Sequence, residues 1–140
     1  MDLPKTISLL HRKMNMELNV RLMEIGLSYA QSRLLKHLHK NSKMAQVDLC
    51  KALGLDKSTV AKALGRMETN GLITKQVNPD DIRSYLVFLT PKAIALFPKM
   101  QEILSGWTED VTSGMKEIDK ETYYKLIDKV AQQAAKLCNK

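Results

Sequence analysis

A chain of 140 residues with 44% hydrophobic side chains is long enough for one domain with a buried core, which excludes an intrinsically disordered protein. It carries 22 Lys and Arg against 15 Asp and Glu, a net charge of +7. The excess lies entirely before residue 93, because residues 93–140 hold seven charges of each sign. This distribution favours a basic face toward nucleic acid over a membrane-surface protein, which would show a basic amphipathic helix with large exposed apolar residues.

No apolar run approaches the length of a membrane span, and the first residues lack the charge and apolar core of a signal peptide. We therefore expect a cytoplasmic protein. The first predicted element is a long amphipathic helix over residues 3–25, which Gly26 is expected to end. Its apolar stripe recurs at intervals of three and four residues: Leu3, Ile7, Leu10, Met14, Leu18, Leu22 and Ile25. Ser28 and Gln31 then match a capping box and predict a second helix.

Residues 45–69 predict two short helices joined by a tight turn. Gly54 suits the left-handed residue that ends the first helix, and Asp56 suits the N-cap of the second. In the second helix the apolar residues Val60, Ala63, Leu64 and Met67 fall on one side, and the opposite side is small and cationic. Such a face can lie in the major groove of DNA; the alternative is an ordinary solvated helix face. The residues expected to contact DNA are Lys57, Ser58, Thr59, Lys62 and Arg66.

A β-hairpin is predicted next, with strands over residues 72–77 and 85–89 and a turn over residues 78–84. Arg83 stands two residues beyond Asp81, a spacing at which the carboxylate can brace the guanidinium. A braced arginine at a projecting tip is suited to a narrow minor groove. The alternative is a surface salt bridge in an ordinary hairpin, which would stabilise little.

Thr90-Pro91 predicts the start of another helix, in which Pro98 is expected to cause a bend. Its apolar stripe comprises Phe97, Met100, Leu104, Trp107 and Val111. Asp119 is expected to open the last helix, whose apolar set is Leu126, Ile127, Val130, Ala134 and Leu137.

These elements predict a mainly α fold with a small β-hairpin wing, a winged helix-turn-helix flanked by terminal helices. We divide it into an N-terminal dimerisation helix (1–27), a DNA-binding domain (28–92) and C-terminal dimerisation helices (93–140). The apolar stripes of the first and last helices need partners, either within the chain or in a second copy. A two-fold dimer would carry two recognition helices, one for each half of a palindrome. We infer a homodimer, with packing within a single chain as the alternative that the residues leave open. The residues assigned to its interface are Leu3, Ile7, Leu10, Leu126, Val130 and Leu137.

Enzymatic readings find little support. The histidines His11, His37 and His39 lack metal-ligand spacing, and the sequence has neither a Gly-rich phosphate loop nor a nucleophile elbow. We expect no catalytic residue, cofactor or metal. The cysteines, Cys50 and Cys138, also lack metal or redox spacing. Cys50 is expected in the core between the two helices of the motif, and Cys138 on the surface, open to adventitious oxidation.

The run from Leu49 to Thr90 resembles the MarR family of bacterial and archaeal transcription regulators. The resemblance is carried by four pieces: Asp48-Leu49 through Leu53-Gly54-Leu55, Asp56 through Val60, Asn70-Gly71-Leu72-Ile73, and Asp81-Ile82-Arg83 leading to Leu89-Thr90. Two departures stand out. Ile82 occupies a wing position where the family often has a second basic residue, and Ala93 stands where a glycine usually follows.

The resemblance implies a homodimeric regulator, a repressor by our interpretation, that binds palindromic double-stranded DNA. It also implies release by a small amphipathic effector wedged between the dimer helices and the winged domain; no effector-binding residue is predicted. Two alternatives remain open. One is a thiol-redox-sensing regulator of the same fold, and the other is a winged helix that acts as a protein-interaction module.

Overall fold

The computed structural model describes residues 1–139, which form six α-helices and a three-stranded antiparallel sheet. The helices are α1 (Leu3–Leu22), α2 (Tyr29–Asn41), α3 (Gln46–Leu53), α4 (Lys57–Thr69), α5 (Pro91–Val111) and α6 (Glu117–Cys138). The strands are β1 (Lys43–Ala45), β2 (Ile73–Asn78) and β3 (Asp81–Leu89). The predicted fold class is confirmed. Among these described residues, none of the helices combines the length and apolar character needed to cross a membrane.

The junction between α1 and α2 follows the local rules that its sequence suggests. After a 3₁₀ turn over Met23–Ile25, Gly26 adopts the left-handed conformation (φ 74°) that a residue with a side chain rarely takes. Ser28 and Gln31 form the predicted capping box, with each backbone N–H donating to the other side chain at 3.1 Å. The Asn19 side chain also accepts from the Tyr29 N–H at 2.8 Å, so α1 itself caps the start of α2.

The hydrophobic core is built from the C-terminal end of α1, the helices α2 to α4, the sheet and the first turns of α5. Its buried apolar residues are Leu18, Leu22, Leu27, Leu34, Leu35, Leu38, Leu49, Leu53, Val60, Leu64, Met67, Leu72, Ile73, Val87, Ala93 and Met100. The predicted inner face of α4 is therefore confirmed at Val60, Leu64 and Met67, while Ala63 is half-buried. Burial of this face fixes which side of α4 points to solvent.

The sheet differs from the predicted hairpin in two ways. Its order is β1-β3-β2, and the short strand β1, which the sequence did not reveal, pairs with residues 86–88 of β3. The seven-residue turn predicted over residues 78–84 is wrong. β3 already begins at Asp81, the turn contains only Pro79 and Asp80, and a register irregularity lies between Val77 and Asn78. Polar residue types suggested a loop, but backbone pairing across the hairpin extends the strand through them.

The last two helices begin differently from each other. α5 begins at Pro91 as predicted, and the Thr90 hydroxyl accepts from the Ala93 N–H at 3.3 Å. The helix assignment runs through Pro98 without a break, so the bend expected there stays a prediction. The expected start of α6 at Asp119 is wrong, because the helix begins at Glu117 and no side chain caps it. Asp119 instead lies in the first turn, where a negative charge favours the helix dipole.

Packing separates the described residues into two units, residues 1–104 and residues 105–139. The first unit contains the winged helix-turn-helix. The second contains the end of α5 and the whole of α6, and its Thr112 is buried with its hydroxyl donating to the Thr108 carbonyl at 2.8 Å. This division rests on packing alone, so the three-part functional division at residues 27 and 92 stays a prediction.

Candidate nucleic-acid interface

The start of α4 is fixed by Asp56. Its carboxylate accepts from the Thr59 N–H at 3.1 Å and from the Thr59 hydroxyl at 2.5 Å. The hydrogen bond from the Thr59 hydroxyl, followed by that from its backbone, lowers the pKa of Asp56. A carboxyl whose pKa is lower in the folded chain stabilises it above the unfolded pKa and loses that contribution as the pH falls through the folded pKa. The predicted N-cap is confirmed, and the Thr59 hydroxyl is engaged within the helix.

The outward face of α4 comprises Ser58, Lys62, Gly65, Arg66 and Thr69. Four of them are exposed and Gly65 is half-buried. A shallow surface depression runs along the C-terminal half of this face, lined by Lys62, Gly65, Arg66, Thr69 and Asn70. A Cβ placed on Gly65 would meet no atom within 4 Å, so the absence of a side chain there serves no packing within the chain. The face is cationic and open to the close approach of a second molecule.

A side chain of α2 holds the turn that precedes α4. The Arg33 guanidinium donates to the Leu53 carbonyl at 3.0 Å, at the end of α3. Gly54 then adopts the predicted left-handed conformation (φ 64°). A charged donor on a carbonyl at a helix C-terminus is a favourable interaction, so Arg33 helps to set the angle between α3 and α4.

The end of α4 is tied to the start of α5 by three hydrogen bonds that sequence reasoning missed. The Lys92 ammonium donates to the Asn70 carbonyl at 2.8 Å, and the Thr90 hydroxyl donates to the Gly71 carbonyl at 2.6 Å. The Thr90 N–H donates to the Leu72 carbonyl at 3.0 Å. We call these bonds the α4–α5 latch. The partners stand about twenty residues apart, so no local pattern could have revealed them.

The wing presents the predicted pairing of Asp81 with Arg83. The Asp81 carboxylate accepts from the Arg83 backbone N–H at 3.0 Å and lies 3.4 Å from the Arg83 Nε. The Arg83 side chain is 89% exposed despite this contact. The brace therefore restricts the direction of the guanidinium while leaving most of it accessible.

A second cation lies further along the hairpin. The Lys75 ammonium stands over the Tyr85 ring at 6.0 Å from its centroid, which is the limit of a cation–π contact. Lys75 is half-buried and Tyr85 is exposed. Sequence reasoning placed both residues in strands but assigned neither a role.

The predicted interface residues of the terminal helices carry apolar surface that the single chain leaves in solvent. In α1, Leu3, Ile7 and Leu10 are 41–49% exposed. In α6, which has no buried residue, Leu126, Val130 and Leu137 are 47–55% exposed. Their assignment to a subunit interface stays a prediction.

The residues considered for other chemistry are dispersed. Within residues 1–139, no group of three or more His, Cys, Asp or Glu side chains is arranged to hold a metal ion. The His39 ring is stacked on Phe97 with centroids 3.6 Å apart. Cys50 is half-buried, so the expected enclosure in the core is only partial, and Cys138 is exposed as expected.

Comparison with known proteins relates this geometry to one family. A model of the MarR family matches residues 25–84, which include the helix-turn-helix and the wing tip. A MarR transcriptional regulator from Methanosarcina mazei is 27% identical and superposes with a TM-score of 0.91, over 96% of this chain and 97% of that one. These two comparisons support a MarR winged-helix regulator. Proteins of this family are transcription regulators rather than enzymes.

Two further structures share the MarR fold with this chain. A MarR protein from Peptoclostridium difficile is 22% identical with a TM-score of 0.87, over 96% of this chain and 88% of that one. A mutant MarR from E. coli, solved in complex with operator DNA, is 24% identical with a TM-score of 0.82, over 93% and 94% of the two chains. At these sequence identities, the comparison shows a shared fold and no more.

Proposed function

We propose that this MarR-family chain is a homodimeric transcription regulator, a repressor, that binds palindromic double-stranded DNA. Its α4 would lie in the major groove and its wing in the adjacent minor groove. The outward face of α4 carries this proposal, because Lys62 and Arg66 flank a glycine at which an added Cβ would meet no atom beyond the helix's own backbone. Such a surface admits a DNA edge while its cations meet phosphates or guanine. The E. coli relative solved with operator DNA supports the same use of the fold.

The proposed dimer would use the terminal helices. The apolar side chains of α1 and α6 named above are roughly half exposed, and exposed apolar side chains repeated along a helix favour association. A two-fold dimer would also present two copies of α4, which doubles the DNA contacts and gives palindrome recognition. Leu3, Ile7, Leu10, Leu126, Val130 and Leu137 are the residues that we assign to the interface.

The proposed regulator would be released from DNA by a small amphipathic effector. Such a molecule must bind the DNA-incompetent state more tightly than the competent one, and DNA must oppose its binding by the same factor. A thiol switch is the competing trigger. Cys50 is half-buried, which limits access to its thiol, and Cys138 is exposed at the end of α6.

DNA binding is tested by fluorescence anisotropy on duplex DNA from upstream of the protein's own coding region, comparing Lys62→Ala with wild type. We expect an affinity loss of about 1–3 kcal/mol if Lys62 contacts a base, with relaxed specificity at one position per half-site. Lys125→Ala in α6 is the matched control, since it removes the same charge from an exposed helix outside the winged helix-turn-helix.

The same titration separates the competing functions. An affinity for duplex DNA that falls steeply with salt concentration supports the regulator, because counterions are released when the protein contacts phosphates. If wild type, Lys62→Ala and Lys125→Ala all fail to bind duplex DNA at low salt, the protein-interaction module becomes the better account. Release by peroxide that disappears when Cys50 and Cys138 are both replaced would instead favour the thiol switch.

A further inference from the structure

The wing tip carries an apolar side chain that the fold does not use. Ile82 is 82% exposed, more than any other large hydrophobic residue described except Met1. A single exposed apolar residue is common on protein surfaces and needs no explanation by itself. Its place at the end of the hairpin, beside the braced Arg83, is what gives it significance.

The tip that carries Ile82 is held by its own polar side chains. The Asn78 side chain accepts from the Asp80 N–H at 3.0 Å and donates to the Ser84 hydroxyl at 3.3 Å. The Ser84 hydroxyl in turn lies 3.3 Å from the Asp81 carbonyl, to which it donates. With a turn of only two residues, these bonds make a narrow end whose conformation is set before any partner arrives.

Strand geometry separates the two projecting side chains. Consecutive residues of a strand point to opposite faces, so Ile82 and Arg83 leave the tip on different sides. The minor groove of B-DNA is about 6 Å wide, enough for side chains but too narrow for the hairpin itself. A tip lying over this groove would therefore place in it the Arg83 cation from one side of the hairpin and the Ile82 side chain from the other.

We propose that Ile82 is a specificity-determining residue of the wing, which packs on the deoxyribose walls of the minor groove and favours A·T pairs there. This inference rests on the proposed DNA binding and extends it. The 2-amino group of guanine projects into the minor groove and would collide with a branched side chain, whereas A·T pairs leave that space open. Pyrimidine–purine steps such as TA also unstack easily, so apolar contact with them costs little deformation. Arg83 would supply the attraction to the phosphates, and Ile82 would supply discrimination that does not depend on charge.

Salt dependence distinguishes the two contributions. In the full-length protein, Ile82→Ala should weaken binding to the operator roughly tenfold per subunit, as expected when about two of the three carbon groups that it removes are buried in the complex. The slope of log affinity against log salt should stay unchanged. Arg83→Ala is the matched neighbour, and it should flatten that slope by about one per subunit, which is about two for the proposed dimer. Ile82→Lys adds a charge at the same position and should steepen the slope by about one per subunit while losing the A·T preference.

Base substitution at the footprinted wing positions tests the mechanism directly. Wild type should bind less tightly when A·T there becomes G·C, and should recover when inosine·cytosine is used, because inosine lacks the 2-amino group but keeps the major-groove edge of guanine. Ile82→Ala should bind all three duplexes alike. Since Ile82 is exposed, its replacement should leave the melting temperature unchanged, which verifies that the variant is folded.

The outcomes of the two proposals are separable. If wild type binds no duplex DNA, the proposed function fails. If wild type binds but Ile82→Ala keeps both its affinity and its discrimination among the three duplexes, the role of Ile82 is wrong and the proposed function stands.

Discussion

At the scale of single residues, the proposed DNA-binding face of α4 depends on a glycine as much as on its two cations. Gly65 lies between Lys62 and Arg66 on the outward face, and its φ is not in the left-handed region. Apart from its own neighbours and the backbone of α4, no atom of the chain lies within 4 Å of where its Cβ would be. A glycine in a helix interior costs about 1 kcal/mol relative to alanine, so this residue lowers the stability of the free protein. Close approach of DNA is our explanation for it.

Gly65→Ala should therefore separate stability from function. We expect the free energy of unfolding to rise by about 1 kcal/mol, because alanine is the better helix former and its methyl group meets nothing. DNA affinity should fall, because that methyl group would stand between the helix and the groove. Thermal unfolding and anisotropy titration of the same sample measure both effects. An undiminished affinity in a stabilised variant would mean that the DNA does not approach α4 at this residue.

At the scale of secondary structure elements, the α4–α5 latch connects the recognition helix to a helix that continues to Val111. Its bonds join the Asn70 and Gly71 carbonyls, at the end of α4, to Lys92 and Thr90. A cation at a helix C-terminus also interacts favourably with the helix dipole. The orientation of α4 is therefore linked to the first turn of α5, and we expect a change in the latch to alter the affinity for DNA.

Lys92→Met tests this link, since it keeps most of the side-chain stem and removes the donor to Asn70. We expect a stability change below about 1 kcal/mol, because the contact is exposed, and an operator affinity reduced by about threefold as α4 loses one restraint. Lys99→Met is the control on the same helix, where the lysine instead pairs with Glu102 at 3.8 Å. Equal operator affinity for the two variants would show that the latch does not position α4.

Sequence reasoning succeeded at this scale where the deciding contacts are local. The capping box at Ser28, the N-cap at Asp56 and the brace between Asp81 and Arg83 all join residues two or three apart, so residue type and spacing suffice to predict them. It failed at β1, because the pairing of this strand is decided by residues more than forty positions away and not by local composition. At the start of β3, turn-forming residue types predicted a loop where the backbone instead pairs Asn78 with Asp81. The start of α6 was missed because no side chain caps it.

At the scale of the whole molecule, charge and apolar surface are distributed between different parts of the chain. The net positive charge lies in the first two thirds, where the winged helix-turn-helix is found, and residues 93–140 carry equal numbers of each sign. The terminal helices α1 and α6 expose apolar side chains that a single chain does not bury. From the sequence, the terminal apolar stripes predict either a dimer or burial within one chain. The exposure of their side chains in the single chain favours the dimer that we propose.

The central claim is that two copies of this chain read one palindrome, and it is tested most directly by footprinting on the upstream DNA combined with the mass of the complex in solution. We predict a complex of two chains per duplex, protecting a pseudo-palindrome whose half-sites are centred about one helical turn, roughly 10 bp, apart. A single chain bound to one half-site with the full affinity, or a preference for single-stranded over double-stranded DNA, would contradict the account.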